Sequence, residues 1–515
     1  SPSRCHGLVT VRLPAEARSL AGLSVTLVAL FVLPNAVDGH ELTGRYESPL
    51  PLVAYLAGAA AAVALSFAFV LLRATPPPAA EDGTASASGS RTVPRTVRLG
   101  LKALGLLAWA WIVVQAVGGE AGSADVASLF LWVYGWVGLA IVCAFVGPAW
   151  QWFDPFTTLY DVGAAAFRRL GVTGWSQSAY PPKLDRWPAV GGFLVFVWLE
   201  LVFTGARSGR LLAFVLVAYT AWTLLMMSQF GRDTWRSRGE VFSVWFGTIG
   251  RLAPVALDPG DDRRVVVRRP ASGLLDGGWT TSLLVLVAIA TGAIIFDGLS
   301  QTQAWQSTFG PPALGSGTIE LVAFLGAIVA IVLAVARLVG LAGLAAGLVP
   351  ISIGYLVAHY LTYLLFDGQR IVLALSDPLG RGWNLLGLGH FEPSGSWLPA
   401  GAVWALQLLA VVSGHVVGAM TGHEAAIREA LEGQMPVPRR RGRTATPVQP
   451  ARRASAGTTQ RGVGDVRLRQ VPLAIVMILL TTLTLWSLGQ AIVKDADAEG
   501  AAGWALPAAE AVRTG

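Results

Sequence analysis

An all-α, multi-pass membrane bundle is the fold this sequence predicts, on three observations: too little charge for a soluble chain, apolar blocks of membrane-crossing length, and basic residues gathered on one side. Charged residues make up 13% of the 515 residues and hydrophobic residues 54%, against about 25% charged in soluble domains. The mean hydropathy is +0.57. The apolar residues fall into separate blocks of roughly 18–25, the length that crosses about 30 Å of hydrocarbon at about 1.5 Å per residue.

Eleven spans are expected, near 20–37, 50–72, 99–117, 126–147, 189–206, 211–230, 279–296, 317–339, 343–366, 397–420 and 471–493. Starting from an inside N-terminus and alternating sides, 31 of the 38 Lys and Arg residues fall on the inside and 7 outside. Cytoplasmic loops carry such an excess, so the N-terminus is expected inside, the C-terminus outside, and the host is expected to be a cytoplasmic membrane. A missed span would flip every later loop, so the bias supports the span assignment as well. The net charge of +7 then reads as attraction to anionic lipid, not to nucleic acid.

The first block has a second reading. Arg4, Arg12 and Arg18 precede LAGLSVTLVALFVLP, which is also the shape of a signal peptide, with cleavage after Gly39 making His40 a new N-terminus. Residue 40 lies outside on either reading. The chain then divides into 1–39, an outer segment and second span at 40–73, a linker at 74–98, the main bundle at 99–434, a basic linker at 435–464, the last span within 465–493, and an exterior tail at 494–515. Both linkers are rich in Pro, Ser, Thr, Gly and Arg, with too little apolar surface to fold. Residues 150–170 and 240–252 space their apolar side chains helically with charges between, as in helices lying in the membrane interface.

Motifs exclude several chemistries. There is no Walker lysine loop, Rossmann fingerprint, HExxH or GxSxG, and Cys5 and Cys143 are too few for a disulfide framework or thiolate cluster. The glycines lie mostly inside spans, where small residues let helices approach.

Titratable groups inside spans cost about 2.5–3.5 kcal/mol each at the helix centre for Asp, Lys or Arg, so each needs a reason. They are Glu200 in FVWLELVF, His359 in VAHYLTY, and His415 with His423 in the tenth span and its inner end. Helical rise puts Glu200 about 16 Å and His359 about 24 Å above the inner face, and His415 only about 7 Å. Two depths follow. The outer group is Glu200 with His359, with His40 able to fold onto it; imidazole and carboxylate there suit copper or another transition metal, or relay a proton. The alternative for His359 is a neutral ring bonded to a backbone carbonyl, Tyr355 or Tyr360. The inner group is His415 and His423, about 80° apart around the helix, for which a structural role leads. Two long outer loops add Asp297, Gln301, Asp377, Arg381 and His390 as possible lining of an exterior mouth, with turn chemistry at D-G and D-P favoured for Asp297 and Asp377.

HELTGRYESPLPLVAYL (40–56), FDGLSQTQAW (296–305), PISIGYLVAHY (350–360), SDPLGRGWNLLG (376–387) and GHVVGAMTGHEAAIR (414–428) resemble a group of actinobacterial polytopic membrane proteins loosely named fenitrothion hydrolase-like. The resemblance implies hydrolysis of an organophosphate ester, for which His359, His415, His423 and Glu200 are the available carriers. Three functions therefore stand open: metal-ion (copper first) or small-solute handling at an outward His/Glu site, ester hydrolysis, and a structural or assembly role with no site.

Overall fold

The structure, a computed structural model, describes residues 52–72, 90–118, 126–171, 177–203, 208–258, 261–310, 313–395, 397–432 and 471–488. The first expected span, His40, Cys5, most of the 74–98 segment, the 435–464 linker and the exterior tail lie outside them. The described chain is an all-α bundle with one small sheet. Helices stand where the ten remaining spans are expected: α1 (Leu52–Leu72), α2 (Arg95–Gly118), α3 (Val126–Phe145), then, after the short α4 (Ala149–Phe153) and α5 (Pro155–Arg169), α6 (Trp187–Leu201) and α7 (Gly209–Phe230). Two more short helices, α8 (Arg232–Arg238) and α9 (Val241–Ile249), lead through the sheet to α10 (Thr281–Ser300), α11 (Gln303–Phe309), α12 (Leu314–Val339), α13 (Leu341–Phe366), α14 (Ile371–Ser376), α15 (Ala400–Glu432) and α16 (Val471–Leu488). Among the described residues seven helices are long and apolar enough to cross a membrane: α2, α3, α7, α10, α12, α13 and α15. Helix α6 is shorter than its apolar block suggests. It stops at Leu201, before the T-G-A-R-S-G run, and its 15 residues rise about 22 Å.

Helix α10 is the centre. Its sequence, TSLLVLVAIATGAIIFDGLS, is apolar all the way round, and nearly every residue from Ser282 to Phe296 is buried, as an all-round apolar helix requires. Around it pack α6, α12, α13 and α16. The tightest pair is α13 with α15, which meet through glycines: Gly343, Gly347 and Gly354 on one helix, Gly414, Gly418 and Gly422 on the other. A Cβ built on Gly418 would stand 2.5 Å from the Gly347 carbonyl oxygen, and one on Gly414 2.8 Å from that of Pro350. Pro350, inside α13, cannot donate to the Ala346 carbonyl one turn back. The Thr421 hydroxyl of α15 lies 2.8 Å from its own Val417 carbonyl and 3.2 Å from the Ala346 oxygen, so the close approach brings a shared donor to the freed acceptor.

Helix α3 is wound as a π-helix over Leu129–Gly138, a rare form often found near functional groups. The wide turns bring Trp132 and Trp136 against Phe193, Phe196 and Trp245. Periodicity in the sequence does not distinguish this winding from an ordinary helix.

Three expectations are corrected. Residues 74–98 are not wholly a linker, because Ser90–Thr92 forms β1, pairing antiparallel with β3 (Asp261–Val267), which also pairs with β2 (Val255–Asp258), and α2 begins at Arg95. The signal was present in VALDPGDDRRVVV, where a P-G turn separates β-branched runs. Second, 240–252 does not set an apolar face against a charged one: α9 is buried on most of its surface, with Trp245, Phe246 and Ile249 inside the core. Two of the charges in 150–170 and 240–252, Asp154 and Glu240, are helix caps. Glu240, fully buried, accepts from Phe242 N (3.0 Å) and Ser243 N (2.6 Å) and from the Tyr219 hydroxyl (2.6 Å). Asp154 likewise caps α5 through Phe156 N and Thr157 N. Burial raises both carboxyls above the usual carboxylate range, and each N-cap returns hydrogen bonds in compensation. The third correction concerns Asp297, taken up below.

Candidate functional site

The chemistry gathers at the C-terminal ends of α6, α10 and α13. Asp297 does not sit in an exterior loop turn. The helix runs through F-D-G to Ser300, and the turn falls at Thr302, whose hydroxyl caps α11 through Trp305 N (3.2 Å). Asp297 thus projects from the last turn but one of the most buried helix. Its Oδ2 receives two donors from neighbouring residues of α13, the His359 ring through Nε2 at 2.9 Å and the Tyr360 hydroxyl at 2.8 Å. Its Oδ1 receives Gln301 Nε2 at 2.6 Å, one helical turn on. The His359 and Tyr360 rings meet edge to face at 4.6 Å, and Tyr360 packs against Trp136 of the wide turn of α3. Trp136 is buried, and its indole N–H faces the Tyr360 hydroxyl without completing a hydrogen bond.

Glu200, in the last turn of α6, brings the second carboxylate. It lies within electrostatic reach of Asp297, Tyr360 and Tyr363 and makes no hydrogen bond to a described residue. The expected pairing of Glu200 with His359 is therefore replaced: the partner of His359 is Asp297, and neither Tyr355 nor Tyr360 bonds the ring. The side chains of His359 and Asp297 remain 18% and 14% exposed. Arg370, just past the end of α13, is paired with Asp367 at 3.1 Å. No Lys or Arg among the described residues bonds Asp297 or Glu200.

The inner histidines take different roles, at a different level of the bundle. His415 is fully buried. Its Nδ1 donates to the Val411 carbonyl (2.8 Å), and its Nε2 is met by the Thr481 hydroxyl (2.6 Å) and the Tyr355 hydroxyl (3.3 Å). Both ring nitrogens are used, which makes His415 a neutral cross-link between α13, α15 and α16. His423, two turns on, is half-buried. His415→Ala is expected to lower stability by about 1–3 kcal/mol, the cost of leaving buried polar groups unpaired. An unchanged unfolding midpoint in detergent would contradict the cross-link.

The loop after α14 holds the other exterior candidates. Asp377 accepts from Arg381 N (2.9 Å) and Gly382 N (2.6 Å). Against a small cost of burial, these and neighbouring backbone N–H groups hold its carboxyl below the usual range. Arg381 donates to the Gly118 carbonyl at the end of α2 (2.9 Å). Both shape the loop, as turn chemistry predicts; His390 is exposed on it. Of the loop candidates, Asp297 and Gln301 alone belong to the site. Tyr360 and Trp136 were not singled out as site residues. Tyr360 directly follows His359, but no sequence pattern marks which face of α3 presents Trp136.

No family model, curated protein or solved structure matches this chain. Among the described residues no three His, Cys, Asp or Glu side chains gather as a metal-binding set.

Proposed function

We propose that this chain is a multi-pass protein of the cytoplasmic membrane, basic segments inside, that binds and passes a proton, or a small cation in its place, at an outward-facing site of Asp297, His359 and Glu200. One observation carries the reading. Two carboxylates share a largely buried site with one imidazole, and no Lys or Arg of the described chain neutralises them. A buried charge without a partner is costly, so the site is short of one positive charge that a bound proton or cation supplies. The partial exposure of the pair gives that cation a route, and ionisable groups within membrane helices mark such pathways. All three residues stand near the C-terminal ends of their helices, the outer ends in the orientation that the basic residues favour.

Copper, the metal the sequence suggests first, is less well served. Asp297 and His359 offer two donors, where structural and catalytic transition-metal sites use three or four. Ester hydrolysis finds partial support in the His359–Asp297 bond, which orients an imidazole as a general base requires; the two-metal route to phosphotriesters needs a larger donor set than the described residues gather.

Purified protein in liposomes loaded with a pH-sensitive dye tests the reading. With a potassium diffusion potential negative inside, proton influx is expected to exceed that of protein-free vesicles at least tenfold. Influx equal to the empty vesicles, with sodium and potassium present in turn, would overturn it.

A further inference from the structure

A cavity of about 450 Å³ opens along the C-terminal part of α5, between that helix and the start of α8, and is lined by Tyr160, Asp161, Arg168, Gln177, Arg232 and Thr234 among others. Its charges are unevenly satisfied. Asp161 is held by both Arg232 (2.8 Å) and Lys102 (3.2 Å), and Arg232 also engages Asp233 (3.0 Å). The lining holds two cations and two carboxylates, and Lys102, from outside the lining, adds a third cation bonded to Asp161; the surplus is Arg168, which has no ion-pair partner among the described residues. The Tyr160 and Thr234 hydroxyls and the Gln177 amide add hydrogen-bond donors. Both carboxylates are already answered, which leaves little to attract an amine and a set of donors that suits an anion.

The surroundings identify the source of that anion. Residues 148–188 and 231–278 are basic segments assigned to the inner face by the Lys and Arg distribution. Beside the cavity α5 exposes Val162, Phe167 and Leu170, each next to or near a lining residue. Apolar side chains flanking a charged face are the arrangement of a helix seated at the acyl–headgroup boundary. We propose that this cavity binds the phosphodiester headgroup of an anionic phospholipid of the inner leaflet, with Arg168 as the principal contact and the acyl chains along Val162, Phe167 and Leu170. The shared chemistry, a phosphate anion held by a guanidinium and neutral donors, also describes a soluble phosphate, so the test separates the two. The proposal uses the membrane reading but not the Asp297 site, and either can fail alone.

The experiment compares retention of phosphatidylglycerol and phosphatidylcholine by the purified full chain in mixed micelles, read by native mass spectrometry. Arg168→Gln is expected to reduce phosphatidylglycerol occupancy about tenfold. Arg169→Gln removes the same charge one residue on, outside the cavity lining, and is expected to leave occupancy unchanged. Equal losses in both variants, which would mean a diffuse surface attraction, or no loss in either, would overturn the proposal. Millimolar inorganic phosphate or glycerol phosphate is expected to leave the lipid bound. Displacement of the lipid by either would assign the cavity to a soluble phosphate and reject the lipid. Both arginines are exposed at a helix end, and an unchanged unfolding midpoint checks that each variant is folded.

Discussion

Asp297→Asn is expected to reduce proton flux in the liposome assay about 100-fold while leaving the protein folded. The change is nearly isosteric. An amide oxygen can still accept from Tyr360 or Gln301, so the end of α10 keeps its shape. What is lost is the negative charge that the His359 ring now faces at 2.9 Å, one of the two carboxylates that a bound proton or cation answers. A positioned proton-transfer group typically contributes about 10²–10⁴ in rate, and the lower end is expected where a second carboxylate remains nearby. Glu200→Gln should then cost less, about tenfold, because Glu200 acts on the pair through charge and not through a hydrogen bond. Asp377→Asn is the control: its carboxylate serves the backbone of one loop and flux should not change. Flux by folded Asp297→Asn protein within twofold of wild type would remove the site from the mechanism.

The positions of the helices were open to reading because membrane insertion imposes a coarse and redundant code. Length, apolarity and the side on which Arg and Lys fall each speak to the same segments, and helices stand at ten of the expected places. The site was legible only in part. His359 and Glu200 stand out because a titratable group in an apolar run is conspicuous. Asp297 was hidden by its neighbour: D-G after an apolar block reads as a turn, yet tertiary packing carries the helix four residues further. Nothing in one dimension pairs position 297 with 359, 62 residues away. That contact depends on how α10 and α13 are rotated against each other. The sheet was missed for the opposite reason, since its turn signal was local and visible but sat among basic residues read as loop. Burial of α9 could not be foreseen from spacing, because Glu240 becomes buried only when α9's N-terminal N–H groups and Tyr219 are there to bind it.

Gly418→Leu is expected to destabilise the bundle by separating α13 from α15, the helix pair in closest contact. In a membrane, helices gain no hydrophobic drive from meeting each other, because lipid is as apolar as leucine, and association rests on close van der Waals packing and on hydrogen bonds. The α13–α15 pair obtains both by removing side chains. G-x-x-x-G-x-x-x-G over Gly414, Gly418 and Gly422 repeats at four residues, which places the three glycines along one stripe of α15. Opposite lie Gly343, Gly347 and Gly354, and the approach is tightest at Gly418, where even a Cβ would stand 2.5 Å from the Gly347 oxygen. The obstacle is backbone, which no rotamer change can move aside. Overpacking a core costs about 1–3 kcal/mol, and a leucine here should reach or pass the upper figure. Separation would also pull Thr421 from the Ala346 carbonyl that Pro350 leaves open, and would strain the His415 cross-link to α13 and α16. The loss is therefore cooperative, because one displaced interface carries three kinds of contact. Gly326→Leu, on α12, where a Cβ meets nothing within 4 Å, provides the control. Unfolding midpoints in detergent should fall steeply for Gly418→Leu and stay near wild type for Gly326→Leu. Equal midpoints would mean that the glycine stripe does not hold α13 against α15, and the position of His359 opposite Asp297 would need another support.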